Sequence, residues 1–67
     1  MISFNPLREY LKRNGTNTHH LYKEGIITTN VMAAINNDRP ISFANLEKIC
    51  RYLDIPVEKA IEIVDED

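Results

Sequence analysis

Apolar residues recur along this chain at helical spacing, in short blocks separated by small polar residues, glycine or proline. The first block holds an apolar triplet at positions i, i+3 and i+4, namely Leu7, Tyr10 and Leu11. Ahead of it, Asn5 can cap the backbone and Pro6 is tolerated in a first turn. Because Gly15 stops the helix, the pattern predicts a first helix over residues 6–14.

A second, shorter helix is predicted in the middle of the chain. Asn17 or Thr18 can cap it, and Leu21 points inward. It ends near Glu24, because Gly25 follows as a helix breaker.

A third helix is predicted over about residues 28–37, with Thr28 as its cap. Its inward stripe consists of Val31, Met32 and Ile35. The remaining side chains are predicted to face elsewhere: Thr29, Asn30, Ala33, Ala34, Asn36 and Asn37. An ordinary exposed helix face carries more Lys and Glu, so this uncharged, amide-bearing face is compatible with close approach to a partner surface.

Two more segments follow Pro40. Ser42 caps a fourth helix with an apolar stripe at helical spacing: Phe43, Leu46, Ile49, Cys50 and Leu53. The last segment begins at Pro56 and places Val57, Ala60, Ile61 and Val64 at helical spacing. Its end, "IEIV", also alternates, so it is either a helix end or a short strand that pairs with residues 2–4, within the chain or across a dimer.

Length and composition favour one small folded domain. We expect it to span residues 1–67, with an acidic tail at residues 62–67. Hydrophobic residues make up 43% and charged residues 27% of the chain, which are ordinary globular values and argue against disorder. No apolar run reaches the roughly 18 residues of a membrane span, and the N-terminus does not resemble a signal peptide. We therefore expect a cytoplasmic protein with no membrane partner.

The charge of the chain is unevenly distributed. The net charge of −2 argues against a nucleic-acid partner, since phosphate neutralisation supplies most non-specific affinity. However, residues 1–40 carry five Lys or Arg against three Asp or Glu, whereas residues 41–67 carry three against seven. The first part is therefore mildly basic and the end acidic, a distribution that is also typical of a solvated surface with an acidic tail.

The middle of the chain predicts two short helices joined by a tight turn, with a helix before them and helices after. This arrangement sets one helix into the major groove of DNA. The segments resemble the repressor/Cro-like (XRE) helix-turn-helix family over nearly the whole chain, from "ISFNPLREYLKRNG" through "IITTNVMAAINNDRPIS" to "LEKICRYLDIPVEKAIEIV". The positions that carry the resemblance best are Leu21, Ile27, Thr28, Met32, Ile35, "RPIS" and "LEKIC..LDI".

The resemblance implies an all-α fold, a lambda-repressor-like bundle of about five short helices. It also implies a sequence-specific DNA-binding transcriptional regulator, expected to be a repressor, that binds double-stranded DNA as a homodimer on an inverted repeat. The family's base-reading positions fall on Thr29, Asn30 and Ala34, with Ala33 beside them. Its phosphate-contacting positions fall on Thr18 and on Asn36, Asn37 and Arg39, and we add Asn17 and Lys23 as phosphate contacts.

Other functions have less support. There is no Gly-rich phosphate loop and no G-x-S-x-G motif, so we expect neither an enzyme nor a cofactor. His19 and His20 invite a metal hypothesis, but a structural zinc site usually needs four ligands, so solvent exposure or a phosphate contact is the better interpretation. The main alternative is a protein-interaction module that kept the bundle and lost DNA affinity, as an antirepressor-like partner would. The negative net charge and the pair Ala33 and Ala34 motivate it.

Overall fold

The computed structural model of the chain describes residues 1–65. Within them lie four α-helices, α1 (Asn5–Arg13), α2 (Thr18–Lys23), α3 (Thr29–Asn36) and α4 (Phe43–Leu53). A 3-10 helix at Val57–Lys59 follows, and the strands β1 (Ile2–Ser3) and β2 (Glu62–Ile63) form a small sheet. The predicted helical bundle is therefore confirmed, with a two-stranded sheet added to it. Part of the expected acidic tail, residues 66 and 67, lies outside the described residues.

Three of the four helices have the predicted side chain as their N-cap. The side-chain oxygens of Asn17, Thr28 and Ser42 each accept the backbone N–H three residues later, which satisfies one of the free donors of a first turn. The prediction that Asn5 caps α1 is wrong. Asn5 is already helical, and its own N–H donates to the hydroxyl oxygen of Ser3 at 3.1 Å.

The residues that follow α2, α3 and α4 share a left-handed backbone conformation. After α2, the N–H of Ile26 donates to the carbonyl of Leu21 and the N–H of Gly25 donates to that of Tyr22, both at 3.0 Å. This is a Schellman motif, and it requires the positive φ of 76° that Gly25 supplies. Asp38 after α3 and Asp54 after α4 occupy the equivalent left-handed position, with φ of 55° and 56°.

The last segment folds as a single 3-10 turn and a strand, not as the helix that the spacing favoured. Strand β2 pairs antiparallel with β1 within the chain, with Ile2 opposite Ile63 and Ser3 opposite Glu62. The N–H of Val64 extends the pairing by donating to the carbonyl of Met1 at 2.9 Å. The strand alternative is thus confirmed, and both ends of the described chain are held together.

The core lies where α1, α2, α3 and α4 converge. Six large side chains are fully buried: Phe4, Leu7, Leu11, Leu21, Ile35 and Ile49. Met32 and Leu53 pack against this core but stay partly exposed. Phe43 shares the apolar spacing of α4 but not its burial, since it is 89% exposed at the first position of that helix. Within residues 1–65 no helix is long and apolar enough to cross a membrane.

Candidate nucleic-acid interface

Helices α2 and α3 pack directly against each other and are joined by the tight turn at Gly25. Leu21 anchors α2, Ile27 fills the turn, and Ile35 anchors α3, so apolar contacts hold the pair from beneath. Tyr22 is 40% exposed, and its ring stacks on that of His19 with ring centroids 6.0 Å apart. Both helices therefore rest on the core while their outer surfaces stay open.

The outer face of α3, which we call the reading face, is formed by Thr29, Asn30, Ala33, Asn36 and Asn37. Four of them are exposed and Ala33 is half-buried. No side chain on it is charged. Among the hydrogen bonds of residues 1–65, none involves the amide of Asn30, so both of its polar atoms remain available to a ligand.

Ala34 does not belong to the reading face. The prediction that it faces outward is wrong, since it is only 8% exposed and lies with Val31 and Ile35 on the inner side of α3. These three positions have the i, i+3, i+4 spacing of one helix face. Ala34 therefore has no surface to offer a base edge.

Thr18 is also buried, at 8% exposure. Its hydroxyl donates to the Oδ1 atom of Asn36 at 3.0 Å, which ties the first turn of α2 to the last turn of α3. The Thr18 hydroxyl is therefore engaged in a hydrogen bond within the protein. Because the Asn36 oxygen accepts that bond, it is the amide nitrogen of Asn36 that remains available to a partner. The side-chain amide of Asn37 likewise donates one hydrogen bond to the carbonyl of Ala33, at 2.8 Å.

A groove of about 280 Å³ lies where α1, the start of α2 and the end of α3 meet. Lys12 and Thr16 line it together with Asn17 and Asn36. Lys12 and Thr16 are not among the site residues predicted from sequence. Lys12 follows Arg8 at i+4, and this spacing on one helix face is the signal that could have placed both cations at the same groove.

Arg8 and Asp38 form an ion pair that fixes the end of α3 to α1. The guanidinium donates to both carboxylate oxygens of Asp38, at 2.8 and 3.3 Å, and also to the carbonyl of Ile35 in α3. The other Asp38 contact is the backbone N–H of Phe4, which donates at 2.8 Å. The hydrogen bond from Arg8, followed by that from Phe4, holds the pKa of the Asp38 carboxyl below its ordinary value. We call this set of contacts the Arg8–Asp38 clamp.

The other candidate phosphate contacts are exposed. Asn17 uses its side-chain oxygen to cap α2, accepting the His20 N–H at 3.0 Å, while its amide nitrogen is not used within the described residues. Lys23 ends α2, and Arg39 follows the Schellman turn after α3. Neither cation takes part in an ion pair within the described part of the chain.

The fold and this pair of helices define a helix-turn-helix protein. The family model for the Cro/C1-type HTH DNA-binding domain matches residues 6–66, and the chain belongs to that family. A crystal structure of the transcriptional regulator VanUg superimposes with a TM-score of 0.89 and 23% sequence identity, covering 97% of this chain and 87% of that one. At this identity the likeness shows the fold. A search of curated proteins found no match.

Proposed function

We propose that this protein is a sequence-specific DNA-binding transcriptional regulator, acting as a repressor, whose helix α3 enters the major groove. The observation that carries the proposal is the reading face, a largely exposed surface of hydroxyl, amide and methyl groups with no charge of its own. Hydroxyl and amide groups can hydrogen-bond to base edges, and methyl groups can contact the methyl of thymine. Membership of a DNA-binding domain family supports the same function.

Base reading is assigned to Thr29, Asn30 and Ala33. Asn30 can pair bidentately with adenine, because its free amide offers one donor and one acceptor. Thr29 can donate to a base acceptor or touch a thymine methyl, and the Ala33 methyl makes only apolar contact. The burial of Ala34 removes it from this set.

Phosphate contacts are assigned to exposed donors around α2 and α3: Lys12, Asn17, Lys23, Asn36, Asn37 and Arg39. The first forty residues contain four exposed cations: Lys12, Arg13, Lys23 and Arg39. Asp38, a carboxylate close to the reading face in sequence, is neutralised by Arg8. The local charge available to a phosphate backbone is therefore positive although the whole chain carries −2.

Asn30→Ala is expected to weaken binding to the preferred site by about 1–3 kcal/mol and to relax preference at one base pair. The preferred site is first obtained by selecting bound fragments from random DNA, and affinities are then measured by titration on the site and on each of its single-base variants. Asn37→Ala, at the C-cap of the same helix, is the matched comparison, since we assign Asn37 to phosphate. Asn37→Ala should weaken binding to all DNA sequences alike. If Asn30→Ala also weakened binding to all sequences alike, the base-reading role of Asn30 would be contradicted.

Arg39→Ala is expected to lower the slope of log affinity against log salt concentration by roughly one unit, because one phosphate contact is lost. The measurement is a DNA titration at several salt concentrations. Lys48→Ala is the control, since Lys48 is an exposed cation on α4 outside the proposed surface. Equal slopes for the two variants would remove Arg39 from the phosphate contacts.

Regulation on an inverted repeat requires two copies of α3, so the proposal includes a homodimer. A two-fold symmetric consensus among the selected fragments is the expected result. If no DNA binds even at low salt, the protein-interaction module becomes the better proposal, with the uncharged reading face as its contact surface.

A further inference from the structure

The reading face of α3 lacks the side chains that best recognise a G·C pair. In the major groove guanine presents two acceptors, which Arg or Lys matches, and cytosine presents a donor, which a carboxylate matches. No residue of the reading face is charged. The nearest carboxylate in sequence, that of Asp38, already accepts hydrogen bonds from Arg8 and from the Phe4 N–H. The nearest cation in sequence, Arg39, lies beyond the C-terminal end of α3, so a G·C pair finds neither of its usual partners on this face.

Only one of the three asparagines on the reading face keeps both polar atoms of its side chain free. The Asn36 oxygen accepts the Thr18 hydroxyl, and the Asn37 nitrogen donates to the carbonyl of Ala33. Within the part of the chain that the structure describes, no hydrogen bond engages the Asn30 amide. A free amide has one donating and one accepting side, which match the N7 acceptor and the N6 donor of adenine. Each copy of α3 therefore offers one bidentate contact, and it suits adenine.

The other exposed groups beside Asn30 are methyl groups. Thr29 precedes it and Ala33 lies one helical turn further on, so the three side chains are neighbours on one side of the helix. Thr29 and Ala33 have the i, i+4 spacing, which places their Cβ atoms roughly 5–6 Å apart. That distance is comparable with two base-pair steps of about 3.4 Å. Thymine is the one base that presents a methyl group in the major groove, so these positions favour thymine.

We infer that the base pairs under α3 are consecutive A·T pairs, in which Asn30 binds adenine and the Thr29 methyl packs against the 5-methyl of a neighbouring thymine. Ala33 adds a second methyl contact on the same side. This inference rests on the proposed function and names the class of DNA sequence that the reading face selects. It also assigns discrimination by apolar contact to Thr29, whose hydroxyl is then not the group that decides the sequence.

Removal of the thymine methyl is the first test. The preferred site is selected from random DNA, and the pair at which Asn30→Ala relaxes preference marks the position of α3. Each thymidine is then replaced in turn by deoxyuridine, which pairs with adenine in the same way and lacks only the 5-methyl. Next to the marked pair, one replacement should weaken binding of the natural chain about four-fold, as loss of one buried methyl group does. Replacements in the DNA that flanks the selected site should leave the affinity unchanged.

Two variants of Thr29 assign the methyl contact to that residue. Thr29→Ser removes the methyl and keeps the hydroxyl, whereas Thr29→Val keeps a methyl and removes the hydroxyl. Ser, Thr and Val have similar helix propensities, and circular dichroism confirms that both variants are folded. Thr29→Ser should bind the thymidine and deoxyuridine sites equally, so the four-fold discrimination disappears. Thr29→Val should retain the discrimination, whatever its overall affinity.

An inosine·cytosine pair separates this mechanism from A·T selection through the minor groove. Inosine lacks the N2 amino group of guanine, so its pair with cytosine has the major-groove edge of G·C and the minor-groove edge of A·T. At the pair marked by Asn30, inosine·cytosine should weaken binding by at least about five-fold, as G·C itself does. Binding equal to that of A·T would place the recognition in the minor groove and end the inference.

Three other results would also overturn the inference: G·C pairs selected under α3, full affinity for every deoxyuridine site, or equal discrimination in the two Thr29 variants. The same titrations distinguish this failure from that of the proposed function. A protein that binds one preferred site without these features ends the A·T inference alone. A protein that binds no DNA, or binds all sequences alike, ends the regulatory proposal as well.

Discussion

Ile35→Ala is expected to remove most of the protein's free energy of unfolding. Ile35 is fully buried on α3, and its side chain is part of the core cluster. Shortening a fully buried isoleucine to alanine costs about 2–5 kcal/mol, because apolar burial is lost and a cavity remains. A core of this size rarely supplies more than roughly 3–5 kcal/mol in total, so one such change consumes most of the free energy of unfolding. Urea unfolding followed by circular dichroism measures the loss.

Ile63→Ala is the control for this experiment because it removes the same atoms from a residue that is 84% exposed. We expect a change within about 0.5 kcal/mol. DNA affinity should fall for Ile35→Ala in proportion to the folded fraction, since α3 has no other fully buried large side chain to hold it. If both alanine variants were equally stable, the packing of α3 described here would be incorrect.

The four helices could be predicted from sequence because their signals are local. The side chains of Asn17, Thr28 and Ser42 cap within three residues, and Gly25 supplies the left-handed turn by itself. The end of the chain could not be decided in this way, since "IEIV" is compatible with both periodicities. The segment forms a strand because it pairs with β1, and this pairing joins residues about sixty positions apart.

The candidate site was also only partly predictable, because some of its features depend on contacts between residues far apart in the sequence. Thr29 and Asn30 are exposed because they open a capped helix, and the cap is visible in the sequence. The burial of Thr18 depends on Asn36, eighteen residues away, and the inward position of Ala34 depends on how closely α3 packs. The sequence contains no local sign of the Arg8–Asp38 pair, whose members are thirty residues apart.

Two residues after the end of α3, Asp38 occupies a position that is ordinarily glycine. Asp38 has φ of 55°, a conformation that an aspartate adopts at some cost. The clamp offsets that cost, because its carboxylate accepts hydrogen bonds from both Arg8 and the Phe4 backbone, and Arg8 also satisfies the Ile35 carbonyl at the negative end of the helix. The clamp therefore sets the position of the reading face relative to α1.

Asp38→Gly is expected to destabilise the protein and weaken DNA binding, although glycine suits the backbone angle better. The matched control is Asp54→Gly, which removes the same charge from a residue with φ of 56° whose side chain makes no hydrogen bond within residues 1–65. Asp54→Gly should be neutral or stabilising, because only strain is relieved. Thermal melts of both variants give the comparison. A stability gain for both would show that the clamp contributes nothing.

The pH dependence of the same variants isolates the ionised form of Asp38. The Arg8 hydrogen bond and then the Phe4 N–H lower the pKa of Asp38 in the folded protein below its ordinary value of 3.8. The stabilisation is therefore fully present above that value and is lost as the pH falls through the folded-state pKa. The difference in unfolding free energy between the natural chain and Asp38→Gly should be constant near neutral pH and shrink below about pH 4. A difference that stays constant through the acid range would mean that the carboxylate charge plays no part in holding α3.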